Sequence, residues 1–235
     1  MSESTLSVSI NTIRREIGAF LGWGRDATAW SATQLTDGGD IISRGLRMFY
    51  FPPSEGREPQ YEWSFLRVNG TITLAVNDYD YDLTDDFSGV LVDDTVTWAS
   101  GENYRPLQVV SEDTIRKMRS DSDTGAPKYI AVRTKTFSPT TGQRFEAIVY
   151  PTPSSAVNSK VLTFQYVTLP DTLTNTNIYP MGGARHSETI LSAVMAAAES
   201  RNDDDPAGPY MARFQQMLQS SIRQDKQTKD EPGGK

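Results

Sequence analysis

His186 is the single histidine of the chain, so any chemistry that needs an imidazole near neutral pH must run through it. It stands in Gly182-Gly183-Ala184-Arg185-His186-Ser187-Glu188, just before a helical pattern. Ser187 as nucleophile with His186 as its base is one reading. Adjacent residues do not usually present that geometry, and no Gly-x-Ser-x-Gly elbow is present. The simpler reading is a histidine at a helix start that makes a cap or a packing contact. Asp78-x-Asp80-x-Asp82 suggests a calcium loop, but such a loop needs Gly at its sixth position and Glu at its twelfth. Those positions hold Leu83 and Gly89. Tyr79 and Tyr81 alternate with the aspartates, the pattern of a strand with one acidic and one aromatic face. Gly38-Gly39 and Gly182-Gly183 lack the spacing of a phosphate-binding loop, and there is no Gly-Lys-Ser/Thr. Nothing selects a glycosidase pair among 30 acidic residues. The absence of cysteine excludes disulfides, a thiol nucleophile and Cys-ligated zinc. No catalytic, cofactor-binding or metal-ligating residue is assigned, and no cofactor is expected.

Charge says more than these motifs. The 235 residues carry 30 acids and 23 bases, a formal charge of −7, which argues against non-specific wrapping of nucleic acid. The charge is uneven. Residues 77–103 hold eight acids and no base, whereas residues 127–160 hold five bases and one acid, Glu146. Two readings follow: cross-strand pairing inside one sheet, or complementarity between neighbouring subunits. In the second, Asp78, Asp80 and Asp82 of one copy meet Arg133 and Lys135 of the next, and head-to-tail contacts of that kind close into rings.

The elements that would position these groups come in three blocks. Ile10, Ile13, Ile17, Phe20 and Leu21 mark one face of a helix over 8–21, capped by Ser9 or Ser7. Residues 25–39 read as a loop or short helical turn closing on Asp37-Gly38-Gly39, and Asp40 as the N-cap of a second helix that Pro52-Pro53 stops. The period then changes to two. Strands are predicted over 71–76, 90–98, 129–137, 144–150 and 160–169, with a short helix from Glu112 to Met118 opened by Ser111. Their connections are too short for βαβ crossovers, so the strands are expected to be antiparallel. Helix returns after Ser187, which can cap a run with Ile190, Leu191, Val194, Met195 and Ala198 on one face, and a last helix carries Tyr210, Phe214, Met217, Leu218 and Ser221. The expected fold is α+β: a helical base (1–60 and 180–224), an inserted antiparallel β-sandwich or barrel-like region (61–179), and a flexible tail (225–235). Met1 to Ser9 lacks the features of a signal peptide, and no stretch approaches the ~20 apolar residues that span a bilayer. A protein made in a cytosol, with no membrane partner, is expected.

Several phrases together resemble a family, the head-to-tail adaptor (connector) proteins of tailed bacteriophages, including tail tubular protein A of short-tailed phages. They are Ile41 to Pro53 followed by Tyr61-Glu62-Trp63-Ser64-Phe65-Leu66; Tyr81-Asp82-Leu83-Thr84-Asp85-Asp86-Phe87, where Thr84 replaces the family's usual proline; Arg144 to Pro151 with Val161 to Pro170; and the helix after Pro180 with His186 and Glu188 near its start. The resemblance covers roughly residues 8–222. Read physically, Trp63, Phe65 and Leu66 anchor the helical base to the first strand, and Leu83 and Phe87 plug the core. Each contributes about 2–3 kcal/mol when fully buried.

The resemblance implies a non-enzymatic ring, typically of about twelve copies, beneath the portal at the capsid vertex. Such a ring extends the DNA channel without specific DNA binding and carries the tail or nozzle. It implies a place in the neck of the virion, after assembly in the host cytoplasm. It also implies portal contact by the C-terminal segment, here with Arg223, Lys226 and Lys229. A β-rich tail-fibre or carbohydrate-binding accessory module would explain the aromatics and strands, but not the helix pairs that frame them. A carboxylate hydrolase lacks an identifiable constellation.

Overall fold

The structure, a computed structural model, describes residues 3–54, 59–202 and 208–230, the last three by their backbone alone. Its helices, in chain order, are α1 (Ile10–Phe20), α2 (Ala32–Tyr50), α3 (Glu112–Met118), α4 (Gly183–Asn202) and α5 (Pro209–Asp230). Its strands are β1 (Arg67–Thr73), β2 (Asp80–Asp82), β3 (Phe87–Leu91), β4 (Thr95–Trp98), β5 (Leu107–Val109), β6 (Thr124–Gly125), β7 (Tyr129–Thr134), β8 (Phe145–Tyr150), β9 (Thr152–Pro153) and β10 (Val161–Thr168). The chain forms two compact units, one of residues 1–65 with 171–235, the other of residues 66–170. Helices and a mostly antiparallel sheet in separate stretches make the fold α+β.

In the helical unit, Ser9 caps α1 by accepting the Thr12 N–H, and Ile10, Ile13 and Ile17 are buried. α2 corrects the sequence expectation. It begins at Ala32, not after Asp40, because Ser31 and Gln34 form a reciprocal capping box. Gly38-Gly39 therefore lies inside the helix, where a Cβ on Gly38 would come 3.0 Å from the Trp30 ring. Bare backbone at that point admits the indole. α4 is buried on most of its surface, with Ala193, Ala196, Ala197 and Ala198 inside. Small side chains let α2 approach closely: a Cβ on Gly45 would lie 2.5 Å from Val194 Cα. α4 also begins earlier than expected. Ser187 is not its cap; the hydroxyl donates to the Gly183 carbonyl (3.1 Å) and accepts the Val8 N–H (2.9 Å).

α5 is started by a residue of another helix. The buried Glu199 carboxylate of α4 accepts the backbone N–H groups of Tyr210 (3.0 Å) and Met211 (3.2 Å), two of the donors that a helix N-terminus leaves unpaired. A side chain at Gly208 would collide with that carboxylate.

In the β unit, eight strands form one sheet in the order β1-β10-β4-β5-β7-β8-β2, with β3 also pairing on β10. The sheet curls into a nearly closed, barrel-like form around Ile72, Val96, Leu107, Ile130, Val149 and Leu162. Leu83 and Phe87 lie in this core. The expected strand 90–98 is two strands, β3 and β4, parted at Asp93-Asp94. One pairing departs from the antiparallel expectation: β5 and β7 are parallel. α3, capped by Ser111, lies in the connection between them. It packs Ile115 on Ala131, Ile148 and Tyr150, so even this short helix carries a crossover. The two-residue strands β6 and β9 are parallel as well.

Candidate functional site

The helical unit gathers its aromatics around His186. The imidazole sits in the first turn of α4, 4% exposed, with ring centroids 5.3 Å from Trp63, 5.3 Å from Phe65 and 6.0 Å from Phe49. Trp63 is fully buried and donates its indole N–H to the Phe49 carbonyl (3.0 Å). The His186 Nδ1 is buried with no hydrogen-bond partner. Burial pushes its pKa below the ordinary value, Arg185 acts in the same direction, and Asp225 opposes both. The neighbouring hydroxyls are engaged elsewhere. The Ser187 hydroxyl is engaged with Gly183, and the Ser64 hydroxyl donates to Asp225. The packing role of the sequence reading is the one that these contacts realise.

A pH dependence follows. A base held below its usual pKa favours the neutral form in the folded state. Between the unfolded value, near 6.5, and the lower folded value, only the unfolded chain takes up the proton. Stability is therefore complete above that range and is lost as pH falls through it. Because the chain has one histidine, His186→Phe should flatten the fall of the melting temperature between pH about 7 and 5.5. A wild-type melting temperature constant over that interval would contradict it.

Asp225 is the second focus. It is 3% exposed and accepts hydrogen bonds from the Tyr61 hydroxyl (2.6 Å), the Ser64 N–H (3.0 Å) and the Ser64 hydroxyl. The sequence reading placed the start of a flexible tail at this residue, and the helix instead runs on to Asp230. Asp225 extends the buried series Phe214, Leu218, Ser221 by one more helical step. The hydrogen bonds satisfy a carboxylate that an apolar count passes over. Residues 231–235 of the expected tail lie outside the described residues. Of the C-terminal cations, Arg223 is exposed and donates to the Gln219 carbonyl (3.2 Å). Lys226 lies 5.7 Å from the Tyr61 ring centroid, and the Lys229 side chain is outside the described residues.

In the β unit the acidic and basic segments meet inside one chain. β7 aligns Arg133 with Glu146 on β8, and β8 aligns Glu146 with Asp82 on β2. Arg133 contacts Glu146 at 2.6 Å and Asp80 at 3.6 Å, and Lys135 contacts Asp82 at 2.5 Å. Lys160 pairs with Glu102 (2.7 Å), and Arg144 with Asp85. Asp80, Asp82, Arg133 and Lys135 thus make cross-strand pairs, the first of the two readings that the charge pattern left open. Asp80 and Asp82 face the cations Arg133 and Lys135. Asp78 lies in the turn before β2, its carbonyl accepting the Tyr81 hydroxyl (3.0 Å). The exposed Lys135–Asp82 pair is worth little, whereas the Glu146 carboxylate is largely shielded from water.

The residues of the anchoring phrases sit as follows. Trp63, Leu66 and Phe87 are buried, Leu83 nearly so, and Phe65 is half-buried and stacked on Trp63 at 5.3 Å. Sequence reasoning missed Glu199 and Asp225, two buried carboxylates. Their one signal was position, since each falls on the inward face of a helix.

Among the described residues no helix is long and apolar enough to cross a membrane. No curated protein matches the chain. The family model described as SU10 adaptor protein matches residues 4–234, a span that takes in all five helices and all ten strands. The side chains that first suggested chemistry are engaged in packing and pairing, and this end-to-end match accounts for both units together: the chain belongs to the SU10 adaptor protein family and is a bacteriophage head-to-tail adaptor.

Proposed function

We propose that copies of this chain form a ring, of about twelve subunits, beneath the portal of a tailed phage. The ring extends the DNA channel and presents a platform to the tail or nozzle. The observation that carries this reading is the family match over residues 4–234. The use of polar groups supports it: His186, Asp225 and Glu199 hold the helical unit together, and no reaction needs to be assigned to them. The net charge of −7 suits a channel wall past which DNA slides without sticking. The protein acts in the neck of the virion, after assembly in the host cytoplasm.

The end of α5 with residues 231–235 is the portal-contacting segment in this reading, through Arg223, Lys226 and Lys229. Arg223 and Lys226 are exposed, so charge can change at these positions without disturbing the buried face of α5. Native mass spectrometry of the full chain mixed with its portal protein tests the reading. A ring of about a dozen adaptor copies on the portal is expected. The double variant Arg223→Glu/Lys229→Glu should join at least about tenfold more weakly, with the defect larger at low salt. Single copies that never join the portal would overturn the ring. Unchanged joining by the double variant would remove the C-terminal contact.

A further inference from the structure

The helical unit has an apolar groove of about 630 Å³ bordered by α2, the chain that follows it, and α5. Met48, Pro52, Tyr61, Phe214, Leu218 and Ile222 form its walls. Arg44 and Lys226 also line it, and among the described residues no carboxylate does. Apolar walls with Arg44 and Lys226 at the edge fit an apolar segment that carries negative charge.

The same unit exposes such a segment. Leu6 is 82% exposed, the most open large apolar side chain among the described residues. Ile178 (36%) and Tyr179 (38%) are exposed too. The two segments are tied together, since the Ile10 N–H donates to the Ile178 carbonyl (2.9 Å). Glu3, which accepts the Ser7 hydroxyl (2.5 Å), adds the acid. None of residues 3–43 or 171–202 lines the groove, so patch and groove are separate surfaces of one protomer. That is what a head-to-tail contact requires: two different, complementary surfaces on each copy. An isologous contact would need a single self-complementary surface. Exposed apolar side chains on adjoining segments are what interfaces cover.

We propose that the groove between α2 and α5 seats the Leu6–Ile178–Tyr179 patch of the adjacent copy, with Glu3 towards Arg44 and Lys226. The proposal rests on the ring reading and deepens it by naming the surfaces that close the ring. It assigns the contact between copies to the helical unit, whereas the charge pattern had offered the β strands, whose charges are paired within one chain.

The cysteine-free chain makes the test clean. In Leu6→Cys/Ile222→Cys the one pair of thiols bonds only if the two Cα atoms of neighbouring copies come within about 7 Å. Adaptor–portal complexes assembled from this variant should give, on oxidation, a ladder of covalent multimers on a denaturing gel. Each single-cysteine variant should stop at dimers. Leu6→Asp should weaken assembly at least about tenfold with an unchanged melting temperature, because the exposed Leu6 has little part in folding. Multi-copy complexes whose double-cysteine chains still run as monomers, linked internally or not at all, would overturn the seat and leave the ring standing. The absence of multi-copy complexes would overturn the ring reading and the seat with it.

Discussion

Asp225→Ala should cost about 3 kcal/mol of stability, seen as a fall of about 6–12 °C in melting temperature. The variant removes the common acceptor of the Tyr61 hydroxyl, the Ser64 N–H and the Ser64 hydroxyl. These donors are half-buried and would lose a charged acceptor, so each is left with its desolvation only partly repaid by water. The loss is local in origin. Asp225 joins α5 to the chain at 61–64, and that chain carries the fully buried Trp63. Asp225→Asn keeps an acceptor and should lose about half as much. The exposed Gln227→Ala, two residues on, should stay within about 0.5 kcal/mol of the wild type. Melting of Asp225→Ala at the wild-type temperature would show that the hydrogen bonds to Asp225 do not hold the helix.

Gly45→Ala should destabilise by about 2 kcal/mol, against the usual sign for a glycine inside a helix. In an open helix the same change gains up to about 1 kcal/mol, because alanine loses less backbone entropy on folding. At Gly45 the new Cβ would stand 2.5 Å from Val194 Cα and 2.8 Å from Val194 N. Backbone cannot swing aside as a side chain does, so α2 and α4 must separate along their contact. The cost of parting two packed helices exceeds the entropic gain. Gly39 is the internal control. It lies in the same helix with nothing within 4 Å of its virtual Cβ, so Gly39→Ala should stabilise. Chemical denaturation of both variants reads the opposite signs directly. Two changes of the same sign would sink the argument from close approach.

The apolar rhythm of the chain was legible where it had one face to serve. Ile10, Ile13 and Ile17 announced α1, and the period-two stretches announced most of the sheet. The start of α2 was hidden because Gly38-Gly39 looks like a loop, and only the Trp30 ring lying against Gly38 explains a bare residue there. Sequence spacing carries no strand register, so the partner of Arg133 could not be read from it. Glu146 is its partner because β7 and β8 place them opposite each other. The buried acids were illegible for a further reason. A carboxylate at an inward position reads as an interruption until its donors are known, and those of Asp225 lie more than 160 positions away. The family, by contrast, was legible from the order of several weak phrases, which run through both units as the family match does.

Glu199 sets where α5 begins, from a neighbouring helix and across a stretch of chain that it does not belong to. The start of α5 is thus defined by a fixed anchor on α4, not by the length of the connection at 203–207. Residues inserted there should leave the pairing of α5 with α4 in register. An adaptor built this way has a site where evolution, or an engineer, is free to add a loop or a tag without moving the helix that follows.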